Sequence, residues 1–193
     1  SYVSGGWRNY YDFHGGGILE WGSHTVDLCH WAADLDETQP VSYEPVGGNT
    51  GPYSVNCHYS NGVKLVMRDN AWDGALGTGS CSFRIEGDLG WVETGDKSKI
   101  ECSENIKSLI RPTEPAPMAL ENHMREFINC VRTRRTPSAN AAAAANSHVA
   151  CHAAFIAFQR GKTLNWSVEK REFTNDEIAN RMRSRAIREP WRI

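Results

Sequence analysis

Glu20, His24 and Asp27 are the residues of this chain whose types and spacing could do chemistry. They stand in Gly15-Gly16-Gly17-Ile18-Leu19-Glu20-Trp21-Gly22-Ser23-His24-Thr25-Val26-Asp27-Leu28. On a helix turning about 100° per residue, positions 20, 24 and 27 fall at about 0°, 400° and 700°, within about 60° of arc. A histidine between two carboxylates can have its tautomer fixed by one while its other ring nitrogen faces a substrate, as a general acid or base requires. Trp31 extends the stripe, Trp7 and Trp21 are near in sequence, and flat aromatic faces suit sugar rings. The same spacing also fits a capped helix with a solvated or salt-bridged polar stripe, or a metal site of two carboxylates and one histidine.

The elements that must hold these residues follow from the pattern around them. A helix is expected from Ile18 to Ala33, directly after the three glycines. A second follows the proline-rich segment 111–117, where Met124, Phe127, Ile128 and Val131 fall at i, i+3, i+4 and i+7. A third begins near Ser138, runs through the alanine tract Ala141–Ala145 and stops at Gly161. A short fourth is signalled by Thr174-Asn175-Asp176-Glu177, which has capping-box spacing.

Between the first two helices the period changes to that of strands. Residues 53–60 and 63–68 flank Asn61-Gly62, and 80–86 and 90–94 flank Gly87-Asp88-Leu89. Residues 41–46 and 99–102 are weaker strand candidates. Taken as a two-residue turn, Asn61-Gly62 puts Val55, Cys57, Tyr59 and Val66 on one face and His58, Leu65 and Met67 on the other. Helices can cover one of two partly apolar faces, so a second subunit is expected on the other, open face. The predicted fold class is α+β: an open, mostly antiparallel (mixed) sheet of about six or more strands with helices packed on one face. The glycine-rich stretch Asp69 to Gly79 is long enough for a functional loop.

Composition narrows the function classes. The chain has 193 residues, a length that suits one domain with a sizeable core. Lys plus Arg number 21 and Asp plus Glu 23, for a net charge of −2. No cation cluster suits a polyanion, so no nucleic-acid partner is expected. Charged residues at 23% and hydrophobic ones at 40% exclude general disorder. The longest nearly apolar run, Val149 to Phe158, already contains His152 and is shorter than the ~20 residues a membrane helix needs, so no membrane partner is expected. There is no basic-then-apolar leader and no initial Met, which suits a soluble piece cut from something longer. The six cysteines (Cys29, Cys57, Cys81, Cys102, Cys130, Cys151) include no C-x-x-C pair. They read as free thiols of a reducing compartment and not as a zinc site.

Several motifs are excluded. Gly77-x-Gly79 lacks the third glycine of a dinucleotide fingerprint, and Gly161-Lys162-Thr163 ends a helix where a phosphate loop would begin one. His58, His148 and His152 read as packed or solvated, and Arg181 to Arg188 as a solvated basic surface. Neither a nucleophile elbow nor an H-E-x-x-H occurs.

The three glycines, an acid, a histidine four residues on and an Asp three beyond resemble the C-terminal domain of the glucose–fructose oxidoreductase / inositol dehydrogenase (Gfo/Idh/MocA) family. So do Trp7-Arg8, Phe83-Arg84-Ile85-Glu86-Gly87 leading into Gly90-Trp91-Val92, and His123-Met124-Arg125-Glu126-Phe127-Ile128. Arg132-x-x-Arg135-x-Pro137, Leu164-Asn165-Trp166 and Arg188-x-Pro190-Trp191 complete the similarity, which spans nearly the whole chain and is strongest toward secreted-type bacterial branches.

The resemblance implies one substrate-binding and oligomerisation domain over residues 1–193, with NAD or NADP held mainly by an N-terminal Rossmann domain outside this chain. No cofactor or metal is expected on these residues, and no activity from this piece alone. It implies that His24 is the acid/base or substrate-hydroxyl partner, and Asp27 a substrate or helix-orienting contact. Glu20 stands where most members carry Asp, one methylene shorter. Arg8, His14 and Trp21 are the expected substrate contacts, with His14 open between that role and loop capping. The implied partners are a carbohydrate or polyol and further copies of the chain, in the cytoplasm, or in the periplasm if a signal lies upstream. Two alternatives stay open: a glycoside-cleaving member of the same family, and a domain that only binds or assembles.

Overall fold

The computed structural model describes residues 6–10, 13–47, 49, 52–69, 74–78, 81–95, 99–110, 120–187 and 189–190, without the side chains of residues 8, 9 and 120. The strands are β1 (Ser42–Pro45), β2 (Ser54–His58), β3 (Lys64–Arg68), β4 (Phe83–Gly87), β5 (Gly90–Thr94), β6 (Ile100–Cys102), β7 (Leu164–Ser167) and β8 (Glu172–Phe173). The helices are α1 (Trp21–Ala32), α2 (Leu120–Thr133), α3 (Ala141–Arg160) and α4 (Glu177–Arg181). They fall into two compact units, Ser1–Asp73 with Ala145–Ile193, and Gly74–Ala144.

The first unit carries an open five-stranded antiparallel sheet in the order β3-β2-β1-β7-β8. Its core face presents Tyr43, Val55, Cys57, Met67, Leu164 and Trp166 to α1 and α3, where Val26, Ala150, Ala154 and Ile156 complete the cluster. α3 can lie close to the sheet because its buried stripe is small: Ser147, Ala150, Cys151, Ala154 and Ala157 recur at helical spacing. By length and composition α3 could cross a membrane, yet here it is the central core helix. Asn140 caps it, accepting from the Ala142 and Ala143 amides at 3.0 Å, and Gly161 ends it at φ 63°.

The hairpin register differs from the expected one. His58 pairs with Lys64 and Cys57 with Leu65, and the Tyr59 amide donates to Val63. The loop is therefore Ser60-Asn61-Gly62 with Gly62 at φ 90°, a turn closed by a left-handed glycine. A slip of one residue flips every side chain of β3. Leu65 and Met67 thus join Val55 and Cys57 on the core face, and Val66 moves outward beside Asn56, His58, Lys64 and Arg68. That open face is polar: Glu44 Oε2 accepts from Asn56 Nδ2 at 3.3 Å and lies 3.4 Å from His58 Nε2.

The second unit holds a three-stranded antiparallel sheet, β4-β5-β6, and α2. Buried Cys81, Phe83, Cys130, Thr78 and Glu93 form its interior. The α2 stripe of Met124, Phe127, Ile128 and Val131 has the expected helical period and is 44–50% exposed.

Three boundaries depart from the expected ones. α1 starts at Trp21 and not Ile18, α3 is capped by Asn140 and not Ser138, and α4 is capped by Asp176, whose Oδ1 accepts from the Ala179 amide at 2.9 Å. β7 and β8 were not expected, because four and two residues are too few for periodicity to register. The proline-rich segment 111–117, part of the 69–79 loop, and Arg188 and Trp191 lie outside the described residues.

Candidate functional site

The glycine run sets where α1 begins. A side chain at Gly15 would have to displace that of Leu19, whose Cδ1 would lie 1.8 Å from the added Cβ, and Gly16 sits at φ 76°, where glycine is favoured. Gly17–Leu19 is a single 3-10 turn. Glu20 then leaves helical geometry at φ −103°, ψ −89°, and its carbonyl accepts from Ser23 Oγ at 2.8 Å. The helical arithmetic that grouped Glu20 with His24 therefore stops at Trp21, while His24 and Asp27 remain three residues apart on one continuous helix.

Two stripes divide α1. Ser23, Val26 and His30 are buried, and Trp21, His24, Asp27 and Trp31 are exposed. Trp21 is 58% exposed, and its ring lies 5.9 Å from the His24 ring at 50°. His24 has no hydrogen-bond partner among the described residues, so both ring nitrogens are available to a ligand. Asp27 sits at the seam between the stripes. Its Oδ1 accepts from Ser147 Oγ of α3 at 2.9 Å, across 120 residues of sequence.

Behind Asp27 the polar contacts continue inward. Ser147 Oγ lies 3.4 Å from His30 Nδ1, and His30 Nε2 lies 2.5 Å from the Tyr59 hydroxyl. His30, Ser147 and Tyr59 are all buried. Burial holds the His30 imidazole below its ordinary value, against the raising influence of Asp36 and Asp27. Burial likewise pushes the Tyr59 phenol up and the Cys29 thiol up to about 12. Sequence reasoning missed His30, Ser147 and Tyr59. The available signal was Ser147, a polar residue in register with Ala150, Ala154 and Ala157 on an otherwise apolar stripe.

The other expected contacts are spread around this helix. His14 Nδ1 accepts from the Gly16 amide at 3.2 Å, which caps the glycine loop, and its ring meets Trp7 edge-on at 5.3 Å. Arg8 lies in the 3-10 turn Gly6–Asn9, its side chain outside the described residues. A cavity of about 390 Å³ is walled by Leu19, His152, Phe155, Ile156, Met182 and Arg185 among others, and none of the expected site residues lines it.

The described residues do not fit a dinucleotide. The space at Gly15 is filled by Leu19 of the same turn, and Gly77, at φ 66°, stands between strands rather than before a helix. Among the described residues no three His, Cys, Asp or Glu side chains are grouped to hold a metal ion. None of the six cysteines is in a disulfide, and Cys57 and Cys151 are fully buried.

No curated protein and no solved structure matches the chain. The family described as "Oxidoreductase family, C-terminal alpha/beta domain" matches it over residues 1–193. An exposed acid–histidine–aromatic stripe behind a glycine loop, on an open antiparallel sheet, is thus carried by a chain that belongs to the Gfo/Idh/MocA oxidoreductase family as its C-terminal alpha/beta domain.

Proposed function

We propose that this domain binds a sugar or polyol for an NAD(P)-dependent oxidoreductase, with His24 exchanging the proton of the reacting hydroxyl. The family is NAD(P)-dependent, and its C-terminal domain typically binds substrate. The observation that carries the reading is the exposed stripe of α1. Trp21 offers an aromatic face, His24 offers two uncommitted ring nitrogens, and Asp27 offers a carboxylate anchored on one oxygen only. A carbinol group needs a proton acceptor and an orienting anion side by side, and residues three apart on a helix supply both. Arg8 and His14 are proposed as further ligand contacts, His14 through Nε2, since Nδ1 is engaged by Gly16. Glu20 is proposed as the second carboxylate near His24.

Assembly into a homo-oligomer through the open sheet face belongs to the same proposal. In the observed register that face offers Val66 among Asn56, His58, Lys64 and Arg68, so such a contact would be largely polar. Product analysis on free sugars against glycosides tests the reading. Oxidised free sugar or polyol supports it, and release of an aglycone favours the glycoside-cleaving alternative.

A further inference from the structure

We propose that the cavity between the glycine turn, α3 and the segment following α4 binds a small amphiphilic anion, an acidic group carried on an apolar body. The inference stands apart from the reading of His24 and Asp27.

The cavity has a volume of about 390 Å³, within the roughly 300–1,000 Å³ usual for small-molecule sites. Helical spacing explains part of its lining. His152, Phe155 and Ile156 fall at i, i+3 and i+4, and so share one face of α3. Leu19 ends the 3-10 turn Gly17–Leu19, and Met182 caps the C-terminus of α4. Ile156 is buried, and Leu19, Phe155 and Met182 are half-buried, so the inner wall is apolar. The rim is basic: His152, Arg183, Ser184 and Arg185 line it and are exposed. No acidic side chain is among the described residues that line the cavity.

Arg183 shows most directly that this positive charge is not spent within the fold. It donates from Nε to the Asn180 carbonyl at 3.3 Å, and from Nη1 to the Arg171 carbonyl. Both acceptors are neutral, and Nη2 has no partner among the described residues. The guanidinium is therefore held in place with donors left over, ready for a charge-assisted bond to an anion. His152 senses the same surroundings. Desolvation, then His148 and Arg185, hold its imidazole below the ordinary value, and the His148 ring lies 6.5 Å away. An anion at the rim would offset those cations and restore the proton affinity of His152. A neutral sugar gains little from the rim, and a bare inorganic anion gains little from the wall. A ligand with both an acidic group and an apolar body uses the two together.

The test is calorimetric titration of the chain with hexanoate, acetate and hexanol, combined with an NMR titration of the His152 ring. Hexanoate is expected to bind at least tenfold more tightly than acetate, which lacks the apolar body, and than hexanol, which lacks the charge. It is also expected to raise the pKa of His152, which hexanol should leave in place. Arg183→Gln is expected to weaken hexanoate binding about tenfold and to leave hexanol binding unchanged. Ser184→Asp, which puts a carboxylate on the exposed rim, is expected to weaken hexanoate at least as much, and serves if Arg183→Gln fails to fold. Hexanoate binding no tighter than that of either control overturns the proposal. So does a His152 titration that hexanoate leaves unmoved, or undiminished hexanoate binding in a folded Arg183→Gln or Ser184→Asp variant.

Discussion

Arg84 and Glu93 are direct cross-strand partners in the β4–β5 ladder, and Glu93 is fully buried. Arg84 donates to Glu93 Oε2 from Nη2 at 2.9 Å and from Nε at 3.3 Å, and its guanidinium lies 4.3 Å over the Trp91 ring. The remaining carboxylate oxygen accepts from the Leu76 amide at 2.8 Å. Removing the cation would strand a buried charge, so Arg84→Ala is expected to cost roughly 3–5 kcal/mol. Arg84→Lys should recover little of it, because an ammonium cannot fork to the carboxylate and stack on Trp91 together. Denaturant midpoints measure both, and a loss below about 1 kcal/mol for Arg84→Ala would contradict the pair's role.

His30 makes stability pH-dependent. Its folded value lies below the ordinary one of 6.5, so between the two the unfolded chain binds a proton that the folded chain refuses. Stability is therefore full above about pH 6.5 and declines as pH falls through that window toward the folded value. His152, lowered by desolvation and by His148 and Arg185, adds in the same direction. Thermal melts from about pH 7.5 to 5 are expected to show a falling Tm, with a shallower fall in His30→Gln. An equal slope in that variant would remove His30 as a cause.

The hairpin offers a backbone test. Gly62 at φ 90° lies in space open within 4 Å, so a methyl group there meets only conformational strain. Gly62→Ala is expected to cost about 1 kcal/mol, read from the urea midpoint, and a neutral effect would contradict the left-handed turn.

That turn also shows how far the sequence was legible. Asn61-Gly62 announced a hairpin, and β1 to β6 all lie where alternation and turn residues put them. The register depended on whether Ser60 belongs to the strand or to the loop. Composition does not distinguish the two, and one residue moved Leu65, Val66 and Met67 to opposite faces. Helix periods were legible for α1, α2 and α3, whereas capping was contested among neighbouring polar residues, Ser138 against Asn140 and Thr174 against Asp176. For the proposed site, spacing singled out Glu20, His24 and Asp27, and of these His24 and Asp27 stand three residues apart on one continuous helix. The groups behind Asp27 were invisible to spacing, because Ser147 and Tyr59 approach α1 only through tertiary packing.

No helix-opening glycine loop among the described residues fits a dinucleotide phosphate, which gives a cofactor prediction. This chain alone is expected to bind NAD(H) or NADP(H) no better than about millimolar, weaker than about 4 kcal/mol. Micromolar affinity by calorimetry would contradict the assignment of the dinucleotide to another domain.

His24 carries the central claim, and its exposure makes the test clean, since a side chain with no hydrogen-bond partner among the described residues contributes little to folding. Turnover of the sugar or polyol by the complete enzyme containing this domain, compared between wild type, Glu20→Asp and His24→Asn, is the direct measurement. The expected result is a kcat lower by about 10²–10⁴ for His24→Asn at unchanged Tm, with a mild effect for Glu20→Asp. Near-normal kcat in the His24→Asn enzyme would contradict it and leave α1 as scaffold.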